Sequence, residues 1–98
     1  MPSQKKRLEW SRRAGNDYLG ILRHYALNAP PSVVFAAAVA IDAAAVRLTR
    51  TLAVYRPGRK NTREYVMRRF PYIIVYRVAA NKVRIVRVLH QSRLYFNR

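Results

Sequence analysis

His90, Arg93 and Tyr95 fall close together near the C-terminus, and these side-chain types can cleave RNA by general acid–base chemistry. One group must take the 2′-hydroxyl proton, another must protonate the leaving oxygen, and cations must hold the phosphate. Arg63 and Glu64, on a separate segment, complete the candidate catalytic set. The competing reading makes His90 the polar end of a strand, with Arg93, Tyr95 and Phe96 as a docking tail. A second constellation places Arg56, Arg59, Lys60, Arg63, Arg68 and Arg69 between Tyr55 and Phe70. Cations interleaved with aromatics suit a polyanion, bound with strong salt dependence.

Other chemistries find little support. Two histidines and four carboxylates form no ligand cluster at a recognisable spacing, so no metal is expected. There is no cysteine, and no serine stands in a nucleophile-elbow context. Gly15, Gly20 and Gly58 are isolated and build no phosphate-cradling loop, so no cofactor is expected. His24, beside Tyr25 in a helical pattern, reads as an ordinary surface residue.

Charge narrows the partners. Twenty Lys and Arg against four Asp and Glu give a net charge of +16 in 98 residues, which points to a polyanionic partner. Residues 1–46 hold six basic and three acidic residues, whereas residues 47–98 hold fourteen basic residues and Glu64 as their one acid. With 51% hydrophobic residues and seven tyrosines, the chain is not a disordered basic tail. Its length suits one domain. Absence of cysteine fits a reducing cytosol, and the opening MPSQKKRLEW has no apolar stretch of a signal peptide. The run from Val33 to Val46 is shorter than a membrane span and is interrupted by Asp42, so no membrane is expected.

These residues need a scaffold to position them. Lys6–Trp10 suits a short edge strand, and Ser11 suits the N-cap of a helix over about 11–27, where Ala14, Tyr18, Ile21, Leu22 and Tyr25 recur at helical spacing. Pro30 and Pro31 stop it. Ser32 is the expected cap of an alanine-rich second helix reaching about residue 53. The short connection implies an antiparallel helical hairpin over about 11–53. Pro57 and Gly58 mark a loop, after which strands are expected from Thr62 to Met67, Tyr72 to Val78 and Val83 to Leu89, with a turn at Ala80 and Asn81. The fold class is therefore α+β: an N-terminal antiparallel helical hairpin packed on a small antiparallel β-sheet. The meander occupies about 62–89 and a tail occupies 90–98.

Period-two geometry places Val83, Ile85, Arg87 and Leu89 on one face of the last strand, and Arg84, Val86, Val88 and His90 on the other. Both are largely apolar, and the helices can cover only one. A partner segment is expected over Ile73, Val75, Arg77, Val86 and Val88, because large exposed apolar patches mark interaction sites.

Taken in order, these elements resemble the RelE/ParE family of bacterial type II toxins over nearly the whole chain. The most specific segments are RPGRKNTREYV (56–66), PYIIVYRV (71–78) and VRIVRVLHQSR (83–93). The resemblance implies a toxin encoded beside a cognate antitoxin whose flexible segment wraps and blocks it, which supplies the missing cover on the sheet. RelE-like members are ribosome-dependent mRNA endonucleases that use varying Lys, Arg, His, Tyr or Glu residues on the sheet and tail. ParE-like members poison DNA gyrase. The ending VLHQSR (88–93) looks more like the ParE branch, in which such a histidine recurs without being a catalyst. The resemblance thus implies gyrase as target, with ribosome and mRNA as the alternative. Operator DNA is reached only through the antitoxin, and the location is cytoplasmic. A small basic nucleic-acid-binding module is a third reading, motivated by the cationic second half.

Overall fold

The computed structural model describes residues 6–50 and 55–92. Strand β1 (Arg7–Trp10) leads into helix α1 (Arg12–Asn28), followed by α2 (Pro31–Leu48) and four strands: β2 (Arg56–Pro57), β3 (Arg63–Val66), β4 (Tyr72–Val78) and β5 (Lys82–His90). The sheet order is β1-β5-β4-β3-β2. Strands β3, β4 and β5 form the expected antiparallel meander, and β2 adds two residues antiparallel to β3. Strand β1 pairs parallel to β5, with Arg7 beside Lys82 and Trp10 beside Ile85. The sheet is therefore mixed, because the helical hairpin returns the chain across the sheet before β5 forms beside β1.

Local chemistry explains the helix boundaries. The Ser11 hydroxyl accepts from the Ala14 N–H at 3.0 Å and donates to the Val86 carbonyl at 2.8 Å. The residue that starts α1 thereby ties it to β5. At the start of α2, Ser32 is not the cap. Pro30 occupies the N-cap with no side-chain hydrogen bond, and Pro31 lies just inside, where its missing N–H costs nothing. Helix α2 ends at Leu48 instead of near residue 53: the Thr49 N–H turns back to the Arg47 and Val46 carbonyls, and the Thr49 hydroxyl donates to Val46 O at 2.6 Å. The last part of the expected helix, residues 51–53, lies outside the described residues.

The core lies between the hairpin and one face of the sheet. Ala14 and Ile21 of α1, Ile41, Ala44, Ala45 and Leu48 of α2, and Ile74, Tyr76, Val83, Ile85 and Val88 of the sheet are buried together. Each fully buried isoleucine contributes about 2 kcal/mol. By length and composition α2 is apolar enough to cross a membrane, with a mean hydropathy of 1.7 over 18 residues, despite the shorter run that the sequence suggests. Its inner face is nevertheless built into this core.

One irregularity alters the expected faces of β5. Val75 pairs with Arg87 but Tyr76 pairs with Ile85, so Val86 is an extra residue in a β-bulge. The alternation restarts there: Val83 and Ile85 face the helices, and so does Val88. Val88 therefore does not share a face with Arg84, as strict period two requires.

Candidate functional site

At the far end of β5, His90 stands opposite Tyr72. Their rings meet edge to face, 5.5 Å apart. Tyr25 of α1 packs on Tyr72 and Phe70, and His24 packs on Tyr25. Burial, with help from Tyr25, pushes the Tyr72 hydroxyl far above the usual phenol range, so it stays protonated at neutral pH. The Ser92 N–H donates to His90 Nδ1 at 3.1 Å, which leaves the proton of the neutral ring on Nε2. A shallow cleft joins His90, His24, Asn16 and Asp17. Beside it, the Asp17 carboxylate accepts from Arg87 Nε at 2.8 Å, Arg87 Nη2 at 3.1 Å and the Val88 N–H at 3.0 Å. That paired hydrogen bond raises the Arg87 guanidinium pKa above its ordinary value.

Of the candidate catalytic set, Arg63 and Glu64 are not gathered there. Arg63 faces Tyr76, four residues along β4 from Tyr72, which is roughly 13 Å of strand. Glu64 is buried and accepts from Arg56 Nε at 2.7 Å. Arg93 and Tyr95 lie outside the described residues. Among the described residues, no three His, Cys, Asp or Glu side chains group to hold a metal ion.

The candidate polyanion set divides in two. Arg56, Arg59, Lys60 and Arg63 surround the β2–β3 turn, whereas Arg68 and Arg69 lie in the β3–β4 turn, with Arg69 over the Phe70 ring at 5.6 Å. The first turn is tightly built. The Gly58 N–H donates to Thr62 O at 2.9 Å, and the Thr62 hydroxyl donates to Arg59 O at 2.6 Å. Lys60 and Asn61 both adopt left-handed backbone, with φ of 54° and 62°. Arg77 braces them, donating from Nη2 to the Lys60 carbonyl at 3.1 Å. A Cβ on Gly58 would lie 2.5 Å from Thr62 Oγ1, so any larger residue must push the Thr62 and Glu64 side chains aside.

The residues expected beneath a partner are mostly interior. Ile73, Val75 and Val88 are 1%, 8% and 3% exposed; Val86 is intermediate, and Arg77 is exposed. The exposed apolar side chains that the sequence reading did not single out are mostly on the helices, Leu19 and Leu27 of α1 and Phe35, Val39 and Val46 of α2, with Val66 and Val78 closing β3 and β4. Phe35, Val39 and Val46 recur at i, i+4 and i+11, and the last two border a groove with Asp42, Ala43, Arg47 and Arg50. The signal was available in the sequence, since α2 is apolar around its whole circumference and a hairpin buries only one side.

All four acidic residues have partners within the fold. Glu9 accepts from Arg84, Asp17 from Arg87, Asp42 from the Tyr18 hydroxyl and Glu64 from Arg56. Arg84 and, less strongly, Lys82 hold the Glu9 carboxyl below its ordinary pKa.

Comparison with known proteins agrees with this architecture. The family described as the ParE toxin of the type II toxin-antitoxin system parDE matches residues 8–95. Among solved structures, the chromosomal ParDE TA system from P. aeruginosa includes a chain that superposes with a TM-score of 0.80 at 24% identity, covering 90% of this chain and 98% of that one. The crystal structure of the toxin-antitoxin complex RelBE2 from Mycobacterium tuberculosis includes a second, with a TM-score of 0.58 at 25% identity, covering 89% of this chain and 92% of that one. No curated protein matches the sequence.

Proposed function

The chain belongs to the ParE toxin family of type II toxin-antitoxin systems, and from that premise we propose that it arrests growth by binding DNA gyrase and trapping its cleaved DNA complex. A cognate antitoxin holds it inactive in the cytoplasm and carries it to operator DNA. The observation that favours binding over catalysis is the separation of Arg63 and Glu64 from His90 among the described residues. Arg63 and Glu64 stand far along the sheet from His90, and Glu64 is committed to Arg56.

The antitoxin reading draws on the solved relatives, which are described as a ParDE system and a RelBE2 toxin-antitoxin complex. The stripe Phe35, Val39 and Val46, beside Arg47 and Arg50, suits an amphipathic antitoxin helix with acidic flanks.

Purified chain added to gyrase and plasmid tests the proposal. Loss of supercoiling with accumulation of gyrase-linked breaks is expected. Untouched supercoiling, together with mRNA cut on ribosomes, overturns it in favour of the endonuclease reading. The His90 cleft is the place that reading would use, and His90→Ala would then abolish cleavage without unfolding the chain.

A further inference from the structure

The side of the sheet turned away from the helices carries cations that neither the polyanion set nor the His90 cleft includes. Leu8, Trp10, Tyr76, Val83 and Ile85 face the hairpin; the residues alternating with them, Arg7, Glu9, Arg77, Lys82 and Arg84, point the other way. The ladder then sets like charges side by side. Arg77 lies directly across from Arg84 on antiparallel strands, and Arg7 directly across from Lys82 on parallel ones. Opposed like charges destabilise a sheet, so this pattern works against folding. Glu9 is the one carboxylate on this patch: it accepts from Arg84 and lies 3.6 Å from Lys82 Nζ. Main-chain oxygens supply the remaining support, with Arg77 on the Lys60 carbonyl and Lys6 Nζ on the Ala79 and Ala80 carbonyls. The Arg84 and Lys82 side chains are still 42% and 36% exposed, and Arg7 and Arg77 are exposed.

We propose that this outer patch binds the phosphodiester backbone of nucleic acid, one phosphate between Arg77 and Arg84 and the next beside Arg7 and Lys82. Facing residues on adjacent strands stand about 5 Å apart, so one phosphate can take a hydrogen bond from each guanidinium. The two seats are two residues apart on β5, about 7 Å, a separation that neighbouring phosphates of one strand can span. An acidic peptide fits less well. Peptide recognition uses a free strand edge or an apolar slot, whereas the Arg77–Arg84 seat is charged and lies on the face of two paired strands, inside the free edge of β1. The site is independent of gyrase, because it uses only side chains of this chain and a bare backbone.

Fluorescence anisotropy with the full chain and a labelled DNA duplex of arbitrary sequence, titrated from low to physiological salt without gyrase, tests the site. The double variant Arg77→Gln/Arg84→Gln should bind about tenfold more weakly and lower the slope of log affinity against log salt by about 0.9, the share of the one phosphate it no longer holds. The charge-matched variant Arg13→Gln/Arg23→Gln, at exposed positions of α1 outside every candidate site, should change neither by much. Equal losses in the two double variants would reduce the effect to diffuse charge and overturn the site. Loss of binding to polyglutamate but not to DNA would overturn it in favour of a peptide. Should the glutamine pair fail to fold, Arg77→Lys/Arg84→Lys keeps the charge and must keep the salt slope, and a collapsed slope there overturns the site as well. A gyrase result of either sign leaves this measurement unaffected.

Discussion

At one end of β4, Arg77 lies beside Arg84 and leans on the Lys60 carbonyl; at the other, Tyr72 packs between Tyr25 of α1 and His90 of β5. The first end gathers charges that repel one another and holds them with main-chain oxygens and a single carboxylate. The second end gathers rings, beside a carboxylate bonded on three sides. With only four acids in the chain, counter-charge is scarce, and Asp17 goes to Arg87, the least exposed of the paired cations. At the other end Arg77 is left to a main-chain oxygen, to water or to a ligand. The difference separates a region organised for stability from one that keeps unsatisfied charge available.

Asp17→Ala strikes the packed end hardest. It strands Arg87 and the Val88 N–H in a setting where the paired side chains are only 15% and 17% exposed. A loss of about 3 kcal/mol is expected in denaturant unfolding; a loss below about 1 kcal/mol would place this pair with ordinary surface bridges and erase the contrast. Gly58→Ala tests the cationic end. Its Cβ meets the Thr62 and Glu64 side chains, and about 1–2 kcal/mol should be lost, with the loop's left-handed residues relaxing. An unchanged melting temperature would mean that the turn gives way freely.

Tyr18→Phe has the smallest expected effect and calibrates both ends from the helices between them. Burial first, then the Asp42 carboxylate, pushes the Tyr18 hydroxyl from 10.0 up to about 12. A raised folded-state value means that its stabilisation is intact below pH 10 and lost as pH rises toward about 12. The variant should show a shallower fall in stability across that window by pH-dependent unfolding. An identical alkaline profile would leave Tyr18 titrating as though unfolded.

Much of the scaffold was legible because its signals are local. Ser11 caps α1, the two prolines separate the helices, and β4 and β5 fall where β-branched residues cluster. What failed needed tertiary information. A two-residue strand such as β2 has no periodicity to detect, and the parallel pairing of β1 depends on where the hairpin delivers the chain. The bulge at Val86 is a one-residue irregularity inside an unbroken apolar run, so alternation assigned Val88 to the wrong side. The candidate site was the least legible part. Arg63, Glu64 and His90 suit one chemistry by type but stand far apart across the sheet. Arg7 and Arg84, distant in the sequence, come to share a patch.

Asp17 has one more consequence. Beyond Ile85, where β1 stops pairing, β5 would otherwise present bare N–H and C=O groups. The Ser11 hydroxyl takes the Val86 carbonyl and Asp17 takes the Val88 N–H. A strand from a second molecule therefore finds this rim already occupied and can add only by first prising α1 away, so the helix that completes the core also guards against fibre-like aggregation.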